Sequence, residues 1–314
     1  MTLFVVILLF LAGLILIIKG GDWFVDAAAW IAEVSGIPKV IVGATVVSLA
    51  TTLPEIIVSM IAAFEGKADM AIGNAIGSVT ANTGLILGVS LIFAPLAVRR
   101  RDYAPKAVIL LAIVTALLIF AQQGSLSTTG AFVMLALFAV FVYENISGAR
   151  RGAGGAHRPP RPEKSEVGKN VVKFIAGTAG IVAGAQLLVD NGSRLAEAVG
   201  VPESIIGVTL IAVGTSLPEL VTAVTSLVKK QGALSVGNIL GANIIDSALI
   251  LPLCGIVSGK ALPISQQSAG LDMPVCLLVG AIAFVPMLIT GKFARWQGAL
   301  LAAVYIGYIC VLVI

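Results

Sequence analysis

Residues 36–55, GIPKVIVGATVVSLATTLPE, return at 200–219 as GVPESIIGVTLIAVGTSLPE, with about half the positions identical and no gap. The offset of 164 positions reaches beyond this stretch. It relates Gly73-Asn74 to Gly237-Asn238, and Asp26 to Asp190, as it relates Glu55 to Glu219. A chain that repeats itself at this period has to build its fold from two copies of one unit.

The unit is a membrane one. Of the 314 residues, 58% are hydrophobic and 11% charged, against roughly 25% charged in soluble domains. Windows of the length that crosses hydrocarbon recur from end to end. Ten are read: 3–19, 38–64, 69–96, 105–121, 128–146, 169–189, 202–228, 235–257, 273–290 and 296–314. No basic residue precedes the first window and no cleavage site interrupts it before Lys19, so a cleaved leader is not expected.

The one long polar stretch, RRGAGGAHRPPRPEKSEVGK, has a linker's Gly, Pro and basic content. It divides the chain into a first five-helix repeat at 1–149, a basic cytoplasmic linker at 150–168 and a second five-helix repeat at 169–314. The duplicated motifs fall within 36–96 and 200–257. Five is odd, so the second copy enters the membrane from the opposite side. The predicted fold is an all-α membrane protein of ten helices in two inverted repeats, with broken helices 2, 3, 7 and 8 forming a central ion site. Such repeats build secondary transporters.

Charge sets the orientation. With both termini outside, 17 of the 20 Lys and Arg residues face the cytoplasm, leaving Lys67, Arg194 and Lys260 outside, as the positive-inside rule requires. The expected location is the plasma membrane, with both termini extracellular. The basic residues therefore face lipid and cytoplasm, and no nucleic-acid partner is expected. Cys254, Cys276 and Cys310 have no metal-ligand spacing and read as packing residues. His157, in the connector, reads as a solvated loop residue.

Each repeat carries an acid where the bilayer least tolerates one. A carboxylate at the centre of a spanning helix costs roughly 3 kcal/mol on the lenient insertion scale, and such acids face a cavity or a partner. Glu55 and Glu219 each follow a proline. Pro54 and Pro218 cannot donate to the carbonyls of Ala50 and Gly214, so the helix must kink or open. Thr51, Thr52, Thr215 and Ser216 add hydroxyls beside the break. On the neighbouring helices, the spacing puts Ser78 with Asn82, and Ala242 with Asp246, on one face. Carboxylate, hydroxyl and carbonyl oxygens without thiolate or imidazole suit hard cations such as calcium, magnesium, manganese or sodium, and argue against zinc or copper. The glycines four apart in Gly73-Asn74-x-x-Gly77 and Gly237-Asn238-x-x-Gly241 read as points of close helix approach.

ATTLPE at 50–55 and GTSLPE at 214–219, each followed by a Gly-Asn-x-x-Gly segment, resemble the duplicated repeats of the cation/calcium exchanger superfamily, most closely its prokaryotic sodium/calcium exchangers. The resemblance covers essentially the whole chain. It implies calcium bound by Glu55, Glu219, Thr51 and Thr215. It implies sodium served by Thr52, Ser216, Ser78 and the carbonyls of Ser48 and Ala212, with Asn82 and Asp246 central and the first and sixth helices sliding to alternate access. The chain departs from the family pattern at Ala50, where Gly is usual, at Val79, where Asn is usual, and at Ala242, where a serine is usual. Ala242 deletes a hydroxyl that Ser78 keeps in the first repeat.

The expected function is a secondary active antiporter exchanging calcium for sodium and driving calcium out electrogenically. A proton-coupled calcium exchanger of the same superfamily is the alternative. The expected partners are calcium, sodium and lipid, with no obligate protein partner and no cofactor. No nucleophile motif, HExxH or cofactor fingerprint accompanies the acids, which argues against an intramembrane hydrolase, and a passive channel would need no counter-ion.

Overall fold

The computed structural model describes residues 2–153, 162–198 and 216–313. The described elements are α1 (Leu3–Ser35), α2 (Lys39–Thr51), α3 (Leu53–Phe64), α4 (Ala68–Phe93), α5 (Arg100–Ala121), α6 (Thr128–Ala153), α7 (Lys164–Ala198), α8 (Leu217–Val228), α9 (Gly232–Ser258), α10 (Ser268–Thr290) and α11 (Arg295–Val313). Eight of these are long and apolar enough to cross a bilayer, and α2 with α3, bent by 49° at their junction, add a ninth. The twelve-residue α8 is the described part of the window at 202–228. Helical order reaches Ala153 and restarts at Lys164, inside the polar stretch 150–168, while His157 lies outside the described residues.

Two helices outrun the sequence windows. The first window ends at Lys19, but α1 continues to Ser35, where Gly36 adopts the left-handed conformation (φ 67°) and Pro38 follows. That is the stop that ends helices generally. The window at 169–189 becomes the 35-residue α7. The extra turns of α1 carry Asp22 and Asp26, and Lys229 at the end of α8 takes both, at 3.4 and 2.6 Å. Charges that end an apolar window need not end a helix when a neighbouring cation receives them.

α1 and α7 lie against each other in antiparallel fashion. A Cβ built on Gly13 would meet the Gly184 carbonyl at 2.9 Å, and one on Gly20 would meet that of Gly177 at 2.9 Å. The offset of 164 makes Gly177 the mate of Gly13 and Gly184 the mate of Gly20, so the interface is the same surface used twice. Without side chains there the backbones come together, as in small-residue membrane interfaces. Phe24 and Phe174 close one end with rings 4.8 Å apart.

The centre belongs to α4 and α9, the most enclosed of the apolar spans. The expectation that both would be broken is corrected. Each runs without interruption and instead carries one π-helical turn, at Asn82–Leu87 and Asp246–Ile250. Two short antiparallel ladders finish the bundle: β1 (Leu96–Ala97) with β4 (Lys292–Phe293), and β2 (Ser125–Leu126) with β3 (Leu262–Pro263). In each, a strand from one half pairs with a strand from the other.

Close approach by glycine is borne out in the second copy of the Gly-x-x-x-Gly motif. Gly237 rests on the Val40 carbonyl, and Gly241 on Ala44 and the Ser48 hydroxyl. The repeat mates of Val40 and Ala44, at 204 and 208, lie outside the described residues. Lys106 is another correction. Counted with the cytoplasmic connector cations although the window at 105–121 includes it, it sits within α5, fully buried and 2.6 Å from Glu144 of α6.

Gly20→Leu forces side-chain atoms into the backbone of α7. Overpacking of this kind costs about 1–3 kcal/mol, so the thermal unfolding midpoint of the detergent-purified protein should fall by several degrees. Gly307→Leu, at an exposed glycine of α11 with nothing within 4 Å among the described residues, should leave it unchanged.

Candidate functional site

The break between α2 and α3 falls at Thr52, whose φ of −84° and ψ of 0° lie at the edge of helical space. Its repeat mate Ser216 has φ −88° and ψ 6°, and α8 starts after it as α3 starts after Thr52. Pro54 and Pro218 take the second helical position, where a missing N–H costs nothing. Glu55 and Glu219 therefore stand in the first turn of their helices, where unpaired N–H groups and the helix dipole favour negative charge. Sequence and backbone geometry agree on both acids.

Around these two first turns the described candidate side chains converge, almost wholly out of solvent. Glu55, Glu219, Asp246 and Asn82 are each 1% exposed, and Ser48, Thr51, Thr52, Ser78 and Ser216 are buried with them. Contacts cross between the repeats. The Thr52 hydroxyl donates to Glu219 Oε1 at 3.3 Å, that of Thr51 lies 3.2 Å from Asn238 Oδ1, and that of Ser216 lies 3.5 Å from Ser78 Oγ. The Ser48 carbonyl accepts from the Thr52 amide at 2.9 Å and the Thr51 hydroxyl at 3.3 Å. Asn82 and Asp246 each open a π-helical turn, at the same repeat position, while further π turns lie at Gly43–Val47 and Ser268–Asp272. Single π turns inside α-helices concentrate at functional sites. Thr215 and Ala212 lie outside the described residues.

Many of these oxygens are unmatched. Both Glu55 oxygens, Glu219 Oε2, both Asp246 oxygens and Asn82 Oδ1 are buried without a hydrogen-bond partner among the described residues. A buried charged or polar group left in that condition is costly, so a buried cluster of this kind suits something that supplies positive charge. No three acidic, histidine or cysteine side chains among the described residues form a metal-holding group by themselves. An ion here would have to take neutral oxygens as well, and the threonine and serine hydroxyls lie beside the acids. The set contains hard oxygen donors, which suit calcium or sodium.

Three asparagines join the site that the sequence reading had not assigned to it. Asn74 Nδ2 donates to the Glu55 carbonyl at 3.3 Å and to Ser59 Oγ at 2.8 Å, fixing the first turn of α3. Its mate Asn238 faces across the repeats to Thr51. The offset of 164 marked both positions but gave them no direction. Asn243 donates to Thr83 Oγ1 at 2.8 Å, and its repeat mate is Val79, so symmetry offered no signal. Ala242, where a serine was expected, is fully buried in α9.

Residues 5–146 and 169–314 match the family described as sodium/calcium exchanger protein. The sodium/calcium exchanger MaX1 of Methanosarcina acetivorans is 28% identical over 346 residues, covering 97% of each chain. The inner membrane protein YrbG of Escherichia coli K12 is 33% identical over 315 residues, covering 93% of this chain and 95% of that one. Among solved structures, the sodium-calcium exchanger NCX_Mj soaked with zero Na+ and Ca2+ matches with a TM-score of 0.85 at 32% identity, over 99% of this chain and 100% of that one. Two family segments on an all-helical bundle with a buried oxygen cluster lead to one conclusion: the chain is a multi-pass membrane transporter that belongs to the sodium/calcium exchanger protein family.

Proposed function

We propose that the protein exchanges calcium for sodium by alternating access, through one site shared by both ions. The observation that carries this is the pairing of Glu55 and Glu219 at matched proline breaks, with Thr52 of one repeat donating to Glu219 of the other. In this reading calcium is held by Glu55, Glu219, Thr51 and Thr215. Sodium takes overlapping positions at Thr52, Ser216, Ser78 and the carbonyls of Ser48 and Ala212, and Asn82 and Asp246 stand at the centre. Both ions are cargo.

The acids make the exchange obligatory. Closing the site around bare carboxylates would leave buried charge uncompensated, a cost of several kcal/mol. The bundle therefore reorients only when calcium or its sodium replacements fill the oxygens. If more than two sodium ions enter per calcium leaving, the membrane potential contributes about 2.3 kcal/mol per net charge per 100 mV. Calcium extrusion is then electrogenic.

The topology proposed with this mechanism has ten spans, both termini outside and inverted repeats divided at 149 and 169. Eight spans and the bent α2–α3 pair are described, α8 falls in the window at 202–228 that would supply the tenth, and the antiparallel, self-matching pair α1–α7 supports the inversion. Those two helices are the proposed sliding elements. Along most of its length their contact is made of glycines and aliphatic groups, with the Phe24–Phe174 rings and a loose 4.0 Å ion pair between Asp26 and Lys173 toward one end.

Radiocalcium uptake into proteoliposomes tests the reading. An imposed sodium gradient with pH clamped on both sides should drive uptake, and Glu55→Gln or Glu219→Gln should reduce it at least 100-fold. Uptake that follows a pH gradient and ignores sodium would replace this reading with proton coupling.

A second prediction concerns Ala242, the buried mate of Ser78. Ala242→Ser adds a hydroxyl oxygen worth about 1 kcal/mol as a hydrogen-bonding or ligating group. The sodium concentration for half-maximal exchange should fall about fivefold, measured in the same assay, with calcium affinity little changed.

A further inference from the structure

At the end of the bundle that carries Arg99–Arg101 and Arg150–Arg151, the first turns of α5, the last turns of α6 and the start of α2 enclose a cleft of about 350 Å3. Its charged lining comprises Arg99, Arg101, Asp102, Lys106, Glu144 and Arg151. Four of these neutralise one another: Arg99 holds Asp102 at 3.0 Å, and the buried Lys106 holds Glu144 at 2.6 Å. Arg101 and Arg151 make no ion pair with a carboxylate among the described residues, so the cleft keeps two guanidinium groups in excess. Guanidinium forks match phosphate oxygens in shape as well as charge.

Glu144 and Arg151 also line a second space, an apolar groove of about 560 Å3 running along α5 and α6 between Pro105, Val108, Ile109, Val140 and Tyr143. Val108, Val140 and Tyr143 are more than half exposed on this surface, which belongs to two spans and so faces acyl chains. A cationic head cleft opening into an apolar groove that follows the spans has the shape of one phospholipid. A soluble phosphate would fill the first space and leave the second. We infer that this composite cleft binds an anionic glycerophospholipid, its phosphate on Arg101 and Arg151 and one acyl chain in the groove.

The position gives the lipid something to act on. Pro38 and Ile41, at the start of α2, form part of the cleft wall. They pack directly on α6, where a Cβ at Gly148 would meet Ile41 at 2.7 Å and one at Gly152 would meet Pro38 at 2.5 Å. A bound lipid therefore braces α5 and α6 against the helix that ends at Thr51 and the break. On the topology proposed above, the cleft lies in the cytoplasmic leaflet, where anionic lipid and basic side chains attract one another.

Native mass spectrometry of the purified full-length protein, titrated with phosphatidylglycerol or phosphatidylcholine, tests this. Wild type should retain phosphatidylglycerol over phosphatidylcholine. The Arg101→Gln/Arg151→Gln pair should weaken phosphatidylglycerol on the order of 20- to 30-fold, from about 1 kcal/mol per basic residue near the surface. Arg150→Gln, one position outside the cleft, should change nothing. Val140→Trp, which fills the groove on a lipid-facing position and leaves the arginines in place, should also reduce retention. The proposal is overturned if the double variant retains phosphatidylglycerol as wild type does, if phosphatidylcholine binds equally well, or if millimolar inorganic phosphate displaces the lipid completely, which would make the cleft a simple anion site.

Discussion

Two glutamates buried out of reach of water set the terms for this structure. A carboxylate in hydrocarbon is tolerable only with a partner, and Glu55 and Glu219 are placed where their surroundings lessen the penalty without removing it. Each stands in the first turn of a helix, one residue after a proline, where the helix dipole favours negative charge, and Glu219 receives a hydroxyl from the opposite repeat. Five of the six oxygens on Glu55, Glu219 and Asp246 remain without a hydrogen bond among the described residues. Such a cluster suits cations, and on the proposed function this is what would tie the movement to ion binding.

Symmetry distributes the rest of the structure around that cluster. The same glycines that let α1 and α7 touch occur at repeat-related positions, and so do the two π turns that begin at Asn82 and Asp246. Where symmetry lapses, the chemistry differs. Asn82 faces Asp246, Ser78 faces Ala242 and Val79 faces Asn243 as repeat mates. Two matched halves alone would give a site with equal contributions from each. These substitutions make the second repeat richer in charge and poorer in hydroxyls than the first, and they are where ion preference would be set.

Much of this was legible before any coordinates. The doubled proline-glutamate motif located the break, and the structure places the bend at Thr52, two residues before Pro54, since the lost N–H is a local property of the backbone. The described hydroxyls and acids named from the sequence all arrive in one buried cluster. Other features were not legible. Asn238 and Asn243 contribute through contacts across the repeats, which no local pattern encodes. Lys106 looked like a loop cation because only four residues separate it from the Arg99–Arg101 run, and only the packing of α6 brings Glu144 to it. The extra turns of α1 were hidden for a related reason: Asp22 and Asp26 read as the end of a span until Lys229 is seen to receive them.

The sequence by itself determined the apolar spans, the two copies, the places where helices must open and the kind of oxygen brought to each, because these follow from hydropathy, proline chemistry and a constant offset. The tertiary structure decided which of those oxygens meet, which stay unpaired and which charges are neutralised far along the chain. The contacts that cross the site join residues 138 to 187 positions apart, and only a folded bundle supplies them.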